Sequence, residues 1–321
     1  MDASWYSSVS NDLKTVEDIM KDVTRSENPE LTEICSYVLG AGGKRVRPAM
    51  CLLAFRACGG TDAKKAADIG AALEIIHNAT LVHDDINDGG DLRRGAKAAY
   101  KRYSIGKSIV AGDYMFALGF KLVGSASREV VDYLVEASAA MGAGEFNQKE
   151  YERDARVTED YYMKIIEGKT ARLIECAAKS GAFLAGADGE VVEALGQFAY
   201  NAGMAFQIVD DALDVAGDES ATGKNIGGDM MEGKPTLPII YALQDPAAGE
   251  RIREIFESPS LEWSDVREAI ALIKKTDAIP RCLDKAKSII KDSARLLDVL
   301  ADSEYKRALI GLAEYIADRD R

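Results

Sequence analysis

Seven prolines punctuate the 321 residues, and none falls between Pro48 and Pro235. Proline fixes φ and removes a backbone donor. A proline-free stretch of that length, rich in Ala, Leu, Ile, Glu and Lys, therefore reads as a succession of helices. Alternating strand patterns bounded by Asn-Gly or Asp-Gly turns are missing. Apolar residues recur at three–four spacing from Leu13 to Val23, at Ile69–Leu73–Ile76, Val130–Leu134, Tyr161–Ile165, Val191–Leu195–Phe198 and Ile289–Leu296–Val299. Short Gly-rich breaks separate them, with N-caps expected at Thr61 or Asp62, Thr158 and Ser264. No fixed-period repeat or long linker appears. The expectation is an all-α, single-domain multi-helix bundle over 1–321, of about a dozen helices, some apolar enough to be buried.

The apolar fraction, 47%, allows a substantial core. Net charge is −13, and a duplex-binding surface needs a basic face, so nucleic acid is not an expected partner. Five scattered cysteines lack metal-ligand spacing and read as reduced, buried thiols. No basic flank precedes an apolar run at the N-terminus, and no segment approaches about 18 uninterrupted apolar residues. The protein is expected to be soluble and cytoplasmic, without a transmembrane segment.

Two segments interrupt this apolar pattern with DDxxD: Asp84-Asp85-Ile86-Asn87-Asp88 and Asp210-Asp211-Ala212-Leu213-Asp214. On a helix, residues i and i+4 share a face about 6 Å apart. Asp84 and Asp88 therefore project together, as do Asp210 and Asp214. Carboxylates crowded on an apolar helix repel and lose solvation unless something neutralises them. A hard divalent cation does that best, and Mg2+ favours few carboxylates, retained waters and phosphate oxygens. One such cluster would usually be surface charge; two, each inside an apolar helix, suit a diphosphate clamped through several metal ions. An EF-hand reading of 85–96 fails, because Gly89 and Ala96 stand where ligands are needed.

In this acidic chain the basic residues gather in islands: Gly42-Gly43-Lys44-Arg45-Val46-Arg47-Pro48, Leu92-Arg93-Arg94-Gly95, Gly223-Lys224 and Gly233-Lys234-Pro235-Thr236. Arginine forks pair bidentately with phosphate, lysine supplies a point charge, and adjacent glycine lets backbone N–H groups approach the same anion. The two histidines are His77 and His83, and His77, seven residues before Asp84, shares its helix face.

GGKRVRP (42–48), IHNATLVHDDINDGGDLRRG (76–95), GKTA (168–171), FQIVDDALD (206–214) and GKNIGGDMMEGKPTLP (223–238) together resemble the trans-prenyl diphosphate synthases, most closely the long-chain members. The resemblance covers nearly the whole chain. It implies an isoprenoid-synthase-type helical bundle around a central apolar cavity, usually a homodimer, using Mg2+, three ions per active site with substrate bound. By the same resemblance Asp84, Asp88 and Asp210 would ligate metal, with Asp85, Asp211 and Asp214 supporting. Lys44, Arg47, His77 and Arg94 would bind isopentenyl diphosphate. Arg93, Lys169, Thr170, Gln207, Lys224 and Lys234 would hold the allylic diphosphate, and Lys169, Thr170 and Gln207 stand closest to the chemistry. Arg45 matches the motif but receives no direct role. The implied reaction ionises the allylic diphosphate and adds isopentenyl diphosphate to the cation, with the released diphosphate as base.

In this family bulky aromatics just before the first DDxxD block the product tail. Here Ala79 and Thr80 are small. The helical rise puts Thr80 about 6 Å and Ile76 about 12 Å below Asp84. Ile76, Leu73, Met115 or Phe116 could form a deeper floor, so a product of C20 or longer is expected. Rival readings are a shorter-chain farnesyl or geranyl synthase, a terpene cyclase or squalene-type synthase, a non-catalytic subunit of a heteromeric synthase and an acidic helical scaffold. The islands at 44–47 and 93–94 argue against a cyclase, and two intact clusters argue against a subunit that has lost metal ligands.

Overall fold

The computed structural model describes residues 4–217 and 226–318. In chain order its helices are α1 (Ser4–Val23), α2 (Pro29–Gly40), α3 (Val46–Ala57), α4 (Lys64–Asn87), α5 (Ala99–Arg102), α6 (Ile105–Val123), α7 (Arg128–Glu150) and α8 (Glu159–Ile166). A π-helical turn (Glu167–Ala171) leads into α9 (Arg172–Leu184) and then α10 (Gly189–Ala216). The rest are α11 (Gly228–Glu232), α12 (Leu237–Ala242), α13 (Gly249–Phe256), α14 (Trp263–Ile273), α15 (Ala278–Ser293), a 3-10 segment (Ala294–Val299) and α16 (Glu304–Ala317). None of the described helices is long and apolar enough to cross a membrane.

The chain divides into two compact units. The first comprises Met1–Val135, Leu173–Gly196 and Leu297–Leu312; the second comprises Glu136–Arg172, Gln197–Leu296 and Ala313–Arg321. At the centre of the first is α4, against which α1, α3 and α6 pack. Its buried residues, from Ala66 to Asp85, lie on all sides of the helix, as expected of an interior helix rather than an amphipathic surface one. The contrast is α1, where Trp5, Val9, Leu13, Val16 and Met20 are buried at three–four spacing on one face. Each such side chain contributes about 1.5–3 kcal/mol by leaving water. In the second unit α12 is held between α8, α14 and α15, its residues Leu237–Ala242 all buried.

Local signals explain several boundaries. Asn28 caps α2, its side chain accepting from Glu30 N and Leu31 N, with Pro29 in the first turn. Thr158 caps α8 as its sequence position predicts. Two expected caps are displaced. The N-cap of α4 is Ala63, while Asp62 accepts from Lys64 N at 3.1 Å one residue earlier. Helix α14 is capped by Glu262 through a capping box with Asp265, not by Ser264, which lies inside the first turn.

A two-stranded hairpin, β1 (Leu92–Arg93) with β2 (Ala96–Lys97), is an element the sequence did not announce. Its two-residue turn, Arg94-Gly95, has φ of 53° and 81°, the geometry that Asn-Gly usually supplies. The hairpin sends the two arginines to different partners, which shapes the site below.

Candidate active site

In the first unit a buried cluster of cations forms where the 42–47 loop, α4 and the hairpin meet. Arg47 is 7% exposed, and its Nε has no hydrogen-bond partner among the described residues. A buried guanidinium donor without an acceptor is costly, and this nitrogen keeps a bonding capacity that the described residues do not meet. Burial lowers the Arg47 pKa to about 10, partly opposed by Glu74 and reinforced by Arg94. Arg94 donates to the carbonyl of Gly42 and, at 3.5 Å, to Asn78 Oδ1. Its guanidinium lies against Gly43, where an added Cβ would come within 3.1 Å of Nη2.

Half-buried His77 faces the same cations. Burial first, then Arg47, Arg94, Arg93 and Arg45, hold its pKa well below the ordinary value, so it is a neutral hydrogen-bonding group. Arg45 is different. Its fork is spent on Glu17 (2.6 Å), Glu74 (2.7 Å) and the Leu39 carbonyl (3.1 Å), which makes it a structural arginine. Glu74, 2% exposed, is the buried counter-charge of the cluster and also accepts from Asn78 Nδ2 at 3.3 Å.

The first aspartate cluster closes α4. Asp85 is buried and accepts from Arg93 Nε at 2.8 Å, and also from Nη2. Burial raises its pKa against the pull of that arginine. Asp84 and Asp88 are half-buried on the other side of the turn. Arg93, expected on the allylic diphosphate, thus carries a fixed acid partner, and Lys44 sits in the loop before α3.

The second unit carries the other half of the predicted residues. A continuous chain of hydrogen bonds runs from Thr170 Oγ1 to Gln207 Oε1 (2.7 Å), from Gln207 Nε2 to Asp211 Oδ1 (2.7 Å), and from the Tyr162 hydroxyl to Asp211 Oδ2 (2.6 Å). Burial pushes the Asp211 carboxyl up, with Tyr162 and Gln207 opposing and Asp210 and Asp214 reinforcing. Asp214 accepts from Gly228 N at 3.2 Å and Asp229 N at 3.1 Å, anchoring the start of α11. Asp210 is exposed at the end of the same face.

Lys169 stands on the π-helical turn, a distortion that adds one residue to the helix and often marks functional sites. The turn abuts α7 backbone to backbone: a Cβ on Gly168 would lie 2.6 Å from the Ala140 carbonyl, and one on Gly144 2.9 Å from Lys169 N. Only glycine permits that approach. It brings Lys169 Nζ to Glu145 Oε2 (2.6 Å) and Gln148 Oε1 (3.0 Å). Neither partner was expected from the sequence. Glu145 and Gln148 match no motif read there, although their i, i+3 spacing on α7 put them on one face. Gln148 is 8% exposed and its Nε2 has no partner among the described residues. Lys234 pairs with Glu232 at 2.5 Å. Lys224 lies outside the described residues.

Of the three residues expected to govern the product tail, Ile76 and Ala79 are fully buried. Ile76 lies against Gly119 of α6. Thr80 is partly exposed, its hydroxyl turned back to the His77 carbonyl at 2.8 Å.

Among the described residues no three His, Cys, Asp or Glu side chains gather as a ready metal cage. The donor chemistry nonetheless fits a hard cation that keeps waters and binds phosphate, since such an ion takes only one or two carboxylates. Asp85, Asp211 and Asp214 bond Arg93, Tyr162 with Gln207, and backbone N–H groups, while Asp84 and Asp88 are half-buried and Asp210 is exposed.

Comparison with known proteins shows the family. The polyprenyl synthetase family model matches residues 28–273. An all-trans-nonaprenyl-diphosphate synthase (geranyl-diphosphate specific) of Rhodobacter capsulatus is 36% identical over 315 residues, 97% of this chain and 96% of that protein. Component 2 of the heptaprenyl diphosphate synthase of Geobacillus stearothermophilus is 36% identical, covering 98% of each chain. Among solved structures, a polyprenyl synthase from Caulobacter crescentus complexed with calcium and isoprenyl diphosphate superposes with a TM-score of 0.93 at 34% identity, over 99% of this chain and 98% of that one.

Proposed function

The chain belongs to the polyprenyl synthetase family, whose members transfer prenyl groups, and from that premise we propose that it condenses isopentenyl diphosphate with an allylic prenyl diphosphate to give an all-trans product of C20 or longer. The observation that carries the reading is the buried Arg47, with an orphaned Nε among Arg94, Arg93 and neutral His77. That pocket asks for a strongly charged acceptor such as a diphosphate.

In this reading Lys44, Arg47, His77 and Arg94 bind isopentenyl diphosphate. Arg93, Lys169, Lys224 and Lys234 hold the allylic diphosphate, Thr170 and Gln207 orient it, and the 321 residues act as one catalytic domain. Asp84, Asp88 and Asp210 would hold Mg2+, three ions per site, which when bound supplies electrophilic stabilisation of the leaving diphosphate. Lysine and arginine charge stabilises the same oxygens as the allylic C–O bond breaks and its electron pair leaves with them. The C=C bond of isopentenyl diphosphate attacks the allylic cation, and loss of a proton to the released diphosphate completes the new double bond. Apolar walls exclude water that would quench the cation.

The protein is read as cytoplasmic and as a homodimer. Exposed apolar side chains on α6 (Ile109, Val110) and α7 (Val135, and Phe146 at 75% exposure) support pairing with a second copy. A heteromeric assembly is the alternative favoured by the name of the component 2 relative. Light scattering of the purified chain separates the two. Small Ala79 and Thr80 at the end of α4 support a long product. Chromatography of products made from labelled isopentenyl diphosphate tests this: C20 or longer is expected, with Thr80→Phe shortening it, whereas a C10 or C15 end product overturns it.

A further inference from the structure

Arg153, in the loop between α7 and α8, has no part in the reaction described above. It adopts φ 60°, a left-handed conformation that an L side chain with a Cβ rarely takes and that asparagine or glycine would suit better. What it does there is consistent. Its backbone N–H donates to the Gly233 carbonyl at 2.8 Å, Nη2 donates to the Met231 carbonyl at 2.8 Å, and Nη1 reaches the Phe256 carbonyl at 3.5 Å.

The fit is close from the other side. Gly233 has φ 75°, and a Cβ there would fall 2.5 Å from Arg153 Cγ. Lys234 follows directly, its N–H bonded to the Asp229 carbonyl at 2.8 Å. The start of the same segment hangs from Asp214, through Gly228 and Asp229. The segment from 228 to 234 is thus fixed at one end by an aspartate of the second cluster and at the other by Arg153. An arginine that spends its fork on backbone carbonyls rather than on an acid is placing a loop, because each carbonyl it holds removes a freedom of the chain.

We infer that Arg153 is a positioning residue that sets Lys234 for the allylic diphosphate by gripping the Met231 and Gly233 carbonyls. The inference rests on the reading of Lys234 given under the proposed function. Arg153→Asn tests it well, since asparagine tolerates the left-handed backbone, keeps the N–H bond to Gly233 and removes only the guanidinium. With purified full-length enzyme, Mg2+ and geranyl diphosphate as the allylic probe, Arg153→Asn should raise the allylic KM roughly tenfold and leave that for isopentenyl diphosphate within about twofold, without lowering the melting temperature. Arg153→Lys, whose single ammonium grips one carbonyl at most, should fall between. A merely structural arginine would shift both KM values or the melting temperature.

An unchanged allylic KM in Arg153→Asn, or equal rises for both substrates, overturns the inference. Lys234→Ala is measured alongside. If it raises the allylic KM while Arg153→Asn does not, the positioning role alone fails. If Lys234→Ala is itself silent, the reading of Lys234 fails and the positioning role falls with it.

Discussion

Removing Glu74 should cost far more than its single negative charge implies. Its side chain is 3% exposed, and Oε1 accepts from Arg45 Nη1 at 2.7 Å and from Asn78 Nδ2 at 3.3 Å. Glu74→Ala would leave Arg45 half-paired and Arg47 and Arg94 without their buried counter-charge. Breaking a buried pair from one side typically costs about 3–5 kcal/mol, because the surviving charge stays desolvated. Glu17 offers the internal control: it bonds the same arginine at 2.6 Å, but its side chain is 36% exposed. Glu17→Ala should cost only about 0–1 kcal/mol. Urea unfolding, read from midpoints at constant slope, measures both. Inorganic diphosphate should rescue Glu74→Ala more than wild type, since it returns negative charge to the cluster. A double variant, Arg45→Met with Glu74→Leu, removes the half-paired Arg45 charge but leaves Arg47 and Arg94 without Glu74, so it should recover part of the loss. The reasoning is refuted if Glu74→Ala costs less than about 1 kcal/mol, or if the double variant is as unstable as the single.

Other perturbations reach the second unit. Gly168→Ala forces a Cβ toward the Ala140 carbonyl, 2.6 Å away, and should cost about 1–3 kcal/mol in overpacking while kcat falls with the displacement of Lys169; unaltered kcat would mean that the close approach is incidental. Tyr162→Phe deletes the hydroxyl that donates to Asp211 and should lower kcat about tenfold or more as Gln207 loosens from Thr170, with circular dichroism unchanged. Glu159 gives a pH signature. Burial raises its pKa, but hydrogen bonds from Lys285 and Tyr241 prevail and hold the carboxyl below its usual range. Its stabilisation is therefore present above the unfolded-state pKa, about 4.3, and is lost as pH falls through the lower folded value. The stability gap between wild type and Glu159→Gln should narrow on acidification below about pH 4.3, and a gap that widens would reverse the sign of the argument.

The helical architecture was legible because three–four periodicity and absent prolines act locally, and both aspartate clusters and the GGKRVRP loop were legible because they are contiguous. What escaped depended on distant chain segments meeting. Glu74 is one acid inside an apolar run, and only the arrival of Arg45 from before α3 gives it a purpose. Glu145 and Gln148 meet Lys169 through the Gly144–Gly168 approach, which no spacing rule encodes. The hairpin went unforeseen because Arg94-Gly95 supplies a turn that is usually written Asn-Gly. Tyr162 falls outside the Tyr161–Ile165 apolar pattern and every motif read in the sequence, and its hydroxyl partner is 49 residues away.

The central claim is that the two aspartate clusters serve metal-dependent condensation of two prenyl diphosphates. Purified protein incubated with labelled isopentenyl diphosphate and dimethylallyl, geranyl or farnesyl diphosphate tests it directly, with Mg2+ or with EDTA. Elongated prenyl diphosphate that forms with Mg2+, disappears with EDTA and is lost in Asp84→Ala is the predicted result. Absence of any elongated product from every primer, or product formation that EDTA and Asp84→Ala leave untouched, would contradict it.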